Sequence, residues 1–140
     1  MEELDTLLAK QFPEYVELAD PQPLLAEDVQ ALLGGGEALL TYLSEGDDTF
    51  LWLVTPSALR MFYVDVTGEE LEALVADLRA TLELPPGLTL NALRRYPFDT
   101  KRANELYEKV FAPVVPYLEG VTHVMVVPDG PLTSIPFSVL

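Results

Sequence analysis

The only histidine of the chain, His123, stands a short way upstream of Asp129 and Ser134 in the stretch VTHVMVVPDGPLTSIPFSVL, so the three side-chain types of a hydrolase triad occur together. In such a triad the imidazole takes the serine proton and the carboxylate holds the ring in the tautomer that can accept it. No Gly-x-Ser-x-Gly turn surrounds Ser134 to lift its hydroxyl out of a strand. His123 alternates with Val121, Met125 and Val127, which marks one face of a strand and makes a packed or edge histidine the expected use. Asp129-Gly130 between Pro128 and Pro131 is expected as a turn, with the carboxylate bonding its own backbone and glycine supplying a positive φ.

The other candidates have structural readings of the same kind. Asp47-Asp48 and Glu69-Glu70 could offer oxygen ligands to a cation, but the first pair lacks calcium-loop spacing and the second belongs to a helix cap. Gly34-Gly35-Gly36 could cradle a phosphate only between a strand and a following helix, and here the order is helix, then strand. Phe50, Trp52, Phe62 and Tyr63 could stack a ligand, yet strand alternation favours core packing. The chain has no cysteine, which excludes disulfides, thiolate metal sites and a cysteine nucleophile within it. No residue is therefore assigned a catalytic, cofactor-binding or metal-binding role.

Composition limits the partners. With 23 acidic and 8 basic residues among 140, the net charge of -15 repels nucleic-acid phosphates and anionic lipid. A hydrophobic content of 49% and a mean hydropathy of +0.21 are too apolar for a disordered chain. No apolar run reaches the roughly 18 residues a membrane span needs, and the acidic amphipathic start MEELDTLLAK is unlike a signal peptide. The expectation is a cytoplasmic protein that binds neither nucleic acid nor membrane.

The elements that must position these residues follow from periodicity and breakers. Leu4, Leu7, Leu8 and Phe12, then Leu25, Val29, Leu32 and Leu33, recur at helical spacing on either side of Pro21-Gln22-Pro23. Gly34-Gly35-Gly36 ends the second run, because consecutive glycines cost backbone entropy and readily take positive φ. Glu37–Leu43, Thr49–Thr55 and Leu59–Val66 are rich in β-branched and aromatic residues with short loops between, which predicts an antiparallel meander. Both alternating sets of the middle strand are apolar, so it is expected to be central and covered on both faces.

Thr67 and Glu70 form a capping box ahead of Leu71, Leu74, Val75, Leu78 and Leu82. Glu83–Pro97 reads as linker. Asp99 or Thr100 then caps a second helix through Ala103, Leu106, Tyr107 and Val110, which Pro113 and Pro116 should break near Ala112 before Gly120 closes it. Val121–Val127 is expected as a buried strand. The division is a helical lead-in over 1–36, a β-meander over 37–66, helices over 67–118, and a strand, turn and apolar run over 121–140, forming one domain.

Two blocks resemble a known family. FPEYVELADPQPLLAEDVQALLGGGEALLTYL is similar to the lead-in of CHAT domains, the caspase-like domains that accompany TPR arrays, and LYEKVFAPVVPYLEGVTHVMVVPDGPLTSIPFSVL resembles their helix, apolar strand, Pro-Asp-Gly-Pro-Leu turn and Pro-Phe-x-x-Leu close. The resemblance implies an α/β fold of α+β-like arrangement: N-terminal helices, the meander, two helices, then the strand and turn of a partial caspase-like domain. It also implies a clan CD cysteine peptidase-like relationship in which the His-Gly histidine and the cysteine follow the Pro-Asp-Gly-Pro block. His123 precedes Val124 rather than glycine, so the catalytic histidine is not carried onto it. On that resemblance, the apolar ending from Pro131 to Leu140 is expected where a non-catalytic N-terminal portion of such a domain would lead on, with the rest of the domain and a TPR array as expected partners. The alternative is a self-standing acidic protein-interaction module without enzymatic activity.

Overall fold

Leu25 donates its backbone N–H to the Asp28 carboxylate at 3.1 Å and so starts α1, Ala26–Leu32. The computed structural model that shows this describes residues 23–83, Gly87 and 98–140. The helix expected on Leu4, Leu7, Leu8 and Phe12 and most of the Glu83–Pro97 linker lie outside the described residues. α1 buries none of its residues, and it reaches the sheet through Gln30, whose side-chain N–H donates to the Thr55 carbonyl at 3.1 Å.

The meander forms as expected. β1 (Glu37–Glu45), β2 (Asp48–Thr55) and β3 (Ala58–Val64) pair antiparallel in sequence order. The fourth strand, β4 (His123–Val127), runs parallel to β1 on its other side, giving the order β3-β2-β1-β4. The arrangement is α/β: helices packed on a mixed four-stranded sheet.

Thr67 caps α2 (Gly68–Leu82) reciprocally, its hydroxyl accepting the Glu70 N–H and its own N–H donating to the Glu70 carboxylate, both at 3.2 Å. Asp99, not Thr100, caps α3 (Thr100–Val110) by accepting the Arg102 N–H at 3.0 Å. The α-helix stops at Phe111 and the chain tightens into a 3-10 helix over Ala112–Tyr117. Pro113 near its start needs no donor there, and Pro116 could not have continued an α-helix. Among the described residues no helix is long and apolar enough to cross a membrane.

The core lies on one face of the sheet. Ala38, Leu40, Tyr42, Leu51, Leu53 and Val64 meet Leu71, Leu74, Val75 and Leu78 of α2 and Ala103, Leu106 and Val110 of α3. The C-terminal run joins this core, with Leu132 and Ile135 buried and Phe137 placing its ring 5.5 Å from Tyr42.

Three expectations are corrected. β4 is not buried: it sits at the sheet edge, with His123, Met125 and Val127 exposed and only Val124 and Val126 turned to the core. β2 is central, but among the described residues only one of its faces is fully covered: Leu51 and Leu53 are closed over, whereas on the other face Val54 is buried and Phe50 and Trp52 are half-buried. No glycine of the triplet Gly34–Gly36 has positive φ. The chain leaves α1 through an extended Leu33, and Gly36 is needed for close approach, since a Cβ there would lie 2.9 Å from the Thr122 hydroxyl.

Candidate functional site

The sequence candidates converge on the end of β4 and the turn after it. β4 is laid against β1 by the Gly36 carbonyl, which accepts the N–H groups of Thr122 at 2.8 Å and His123 at 3.0 Å. At its other end the chain passes Pro128 and Asp129 into a 3-10 turn over Gly130–Ser134. Gly130 takes φ of 54°, the conformation that favours glycine, and its Cα faces the Ser44 side chain at a distance that leaves a Cβ only 3.2 Å of room.

Asp129 does not bond its own turn, as the sequence suggested. Its carboxylate accepts the Ser44 N–H at 2.8 Å, across 85 positions of chain. The charge-assisted bond pins the turn to the end of β1 and satisfies a backbone donor there. Asp129 is thus a structural anchor.

The triad is not assembled. His123 is exposed, and its Nδ1 lies 3.0 Å from the Thr122 hydroxyl. Ser134 donates its hydroxyl to the Pro131 carbonyl at 2.8 Å, and Asp129 serves Ser44. No hydrogen bond joins any two of the three. A groove of about 430 Å³ does reach Ser134, lined by Glu72, Arg79 and the α2 surface, but it offers that hydroxyl no imidazole. Arg79 is itself paired with Glu83 at 3.3 Å.

The carboxylate pairs separate. Glu70 is spent on the α2 cap, and Asp48 accepts the Tyr63 hydroxyl at 3.0 Å. That hydrogen bond, with the charges of Asp48, Asp65 and Asp47 around it, pushes the Tyr63 hydroxyl above its ordinary pKa. Among the described residues no three His, Asp or Glu side chains converge to hold a metal ion.

The aromatic set behaves differently from expectation. Phe62 turns to the helix side and packs on Tyr117 with ring centres 5.5 Å apart, while Arg60 lies 4.5 Å over the same ring. Phe50, Trp52 and Tyr63 occupy the opposite face, with Phe50 6.0 Å from Trp52 and 5.8 Å from Tyr63. The register extends that face across all four strands: Leu39 and Leu43 of β1 lie beside Val54 and Phe50, Leu59 and Met61 beside Val54 and Trp52, and Met125 beside Leu39. Leu43, Leu59, Met61, Tyr63, Met125 and Val127 of this set are exposed.

Sequence reasoning did not single out Ser44, Thr122 or the apolar alternation of Leu59, Met61 and Tyr63. The last was readable, because those residues alternate with Arg60 and Phe62 along β3. The chain matches no protein-family model, no curated protein and no solved structure.

Proposed function

We propose that this chain is the non-catalytic N-terminal portion of a caspase-like CHAT domain, a scaffold for a cysteine peptidase or pseudopeptidase whose histidine and cysteine follow the Pro-Asp-Gly-Pro turn. The observation that carries the proposal is β4. It runs parallel to β1 at the sheet edge, and among the described residues nothing pairs with its outer side. Half the backbone N–H and C=O groups of such a strand point away from its neighbour and can template another strand. The sequence His-Val-Met-Val-Val contains no proline and no lysine, the residues that ordinarily protect an edge. The opposite edge, β3, carries Arg60.

On this reading β4 receives the next strand of the larger domain. The turn pinned by Asp129 sets the direction in which the chain leaves β4, and Leu132, Ile135 and Phe137 hold that exit against the core. The reading expects no peptide hydrolysis from this chain alone; the lack of cysteine and the separate partners of His123, Asp129 and Ser134 support it. The partners are the rest of the domain and the TPR array that accompanies CHAT domains.

The test reads the coding sequence after Leu140 and compares amide exchange in this chain with a chain extended by it. The proposal expects a His-Gly and a cysteine downstream and at least tenfold slower exchange in β4 of the longer chain, which is about 1.4 kcal/mol of added protection. A stop codon after Leu140, or unchanged β4 exchange in the longer chain, overturns it. Peptidase activity of this chain that is lost in His123→Ala would overturn it as well.

A further inference from the structure

The sheet face opposite the helices has a pattern of its own. Its strand positions are Glu37, Leu39, Thr41, Leu43 and Glu45 on β1, Asp48, Phe50, Trp52 and Val54 on β2, Leu59, Met61 and Tyr63 on β3, and His123, Met125 and Val127 on β4. None is lysine or arginine. Val54 is buried and Leu39, Phe50 and Trp52 are half-buried, but Met61 is 61% exposed, Tyr63 55% and Val127 51%, values ordinary for polar residues but not for apolar neighbours on one face. The acidic residues gather at one end, where Glu45 pairs with Asp48 in register and Asp47 sits in the intervening turn. Asp65 joins them from the end of β3, and its backbone carbonyl accepts from Lys109 at 3.3 Å. Among the described residues no lysine or arginine forms an ion pair with Glu45, Asp47 or Asp48.

An apolar band with an unneutralised acidic end has a defined complement. We propose that this face docks one amphipathic helix of a protein partner, its apolar stripe on Phe50, Trp52, Met61 and Met125 and its lysines or arginines at the Glu45–Asp48 end. The dimensions fit. Three inter-strand spacings of about 4.8 Å make the face roughly 14 Å across between its outer strands, and a helix is about 10–12 Å wide. A second strand cannot be the occupant, since the backbone groups of β1 and β2 are engaged in the sheet; the face can be read only through side chains. Burial of the apolar band supplies affinity, and the acidic end sets orientation and rate of encounter. This extends the scaffold reading by naming a second contact, and it stands or falls independently of the edge of β4.

Trp52 is the only tryptophan and lies in the middle of the face, so its fluorescence reports occupancy directly. The probes are two synthetic amphipathic helices of about three turns, identical in their leucine stripe, one ending in lysines and one in glutamates. Titrated into the full chain, the lysine-ended peptide should shift Trp52 emission to the blue and bind at least about tenfold more tightly than the glutamate-ended one, with the difference closing at high salt. Met61→Glu should abolish the shift while leaving the urea midpoint close to that of the parent chain, and Asp47→Asn with Asp48→Asn should remove the preference between peptides. Equal binding of both peptides, or binding of neither, overturns the proposal. It is also overturned if Trp52 emission in the free chain depends on protein concentration, which indicates a second copy on the face. A Leu8→Glu variant that red-shifts Trp52 and opens it to quenchers in the free chain overturns it too, because the occupant is then the chain's own N-terminal segment.

Discussion

The two faces of this sheet are built from the same strands and almost equally apolar side chains, yet among the described residues one is closed and the other, apart from a buried Val54, is left open. On the helix side Leu40, Leu51 and Val64 are at most 1% exposed, packed under α2 and α3. One residue along each strand, Thr41, Trp52 and Tyr63 face the other way and keep solvent contact. Hydrophobic patterning therefore states how many faces can be covered, not how many are. Among the described residues the helix side is covered and the other side is not.

Substitutions measure that contrast directly. Leu53→Ala should cost about 2–5 kcal/mol by urea denaturation with an unchanged m-value, because it removes a buried side chain and leaves a cavity. A loss under about 1 kcal/mol would mean that the helix side is packed no better than the open one.

Tyr42→Phe comes next. The Tyr42 hydroxyl donates to the Val110 carbonyl at 2.8 Å inside the core, so its removal leaves a buried acceptor unpaired and should cost about 1–3 kcal/mol. Burial holds this hydroxyl well above its ordinary value of 10.0. The folded chain thus keeps the proton at a pH where the unfolded chain has released it. The contribution is complete below about pH 10 and is lost as pH rises from there toward the folded value, so the parent chain should show an alkaline decline in stability that Tyr42→Phe reduces. Urea midpoints measured between about pH 8 and about 11 for both proteins check the sign.

Thr67→Ala should cost about 1 kcal/mol, since it removes the hydroxyl that accepts the Glu70 N–H at the start of α2. Met61→Ser should be the smallest effect, within about 0.5 kcal/mol, because an exposed side chain loses little on shortening. A cost near that of Leu53→Ala would show the open face to be covered in solution, which would break the comparison.

Legibility divided along the same lines. The α2 cap, the stop at Phe111 ahead of two prolines and the meander of β1, β2 and β3 were readable because each depends on groups a few residues apart. Thr67 and Glu70 need only one turn of helix to meet. The exposure of β4 was not readable, because a strand of Val and Met looks alike whether it is central or at an edge. The Asp129 anchor was missed for a related reason: an Asp-Gly between prolines satisfies local turn rules, while its true partner, Ser44, lies 85 positions away.

For the candidate site, absence of cysteine and the lack of a serine elbow were settled by residue identities alone. That His123, Ser134 and Asp129 each bond a different partner was settled only by the tertiary structure. The sequence by itself determined the local elements and the absence of a cysteine, because caps and breakers act over a few bonds and residue types are read directly. The tertiary structure alone decided that β4 lies parallel beside β1, that the turn after it is tied to Ser44, and that the described helices pack on one face of the sheet. Those are pairings between distant segments, selected by the total burial they achieve together rather than by any segment's own pattern.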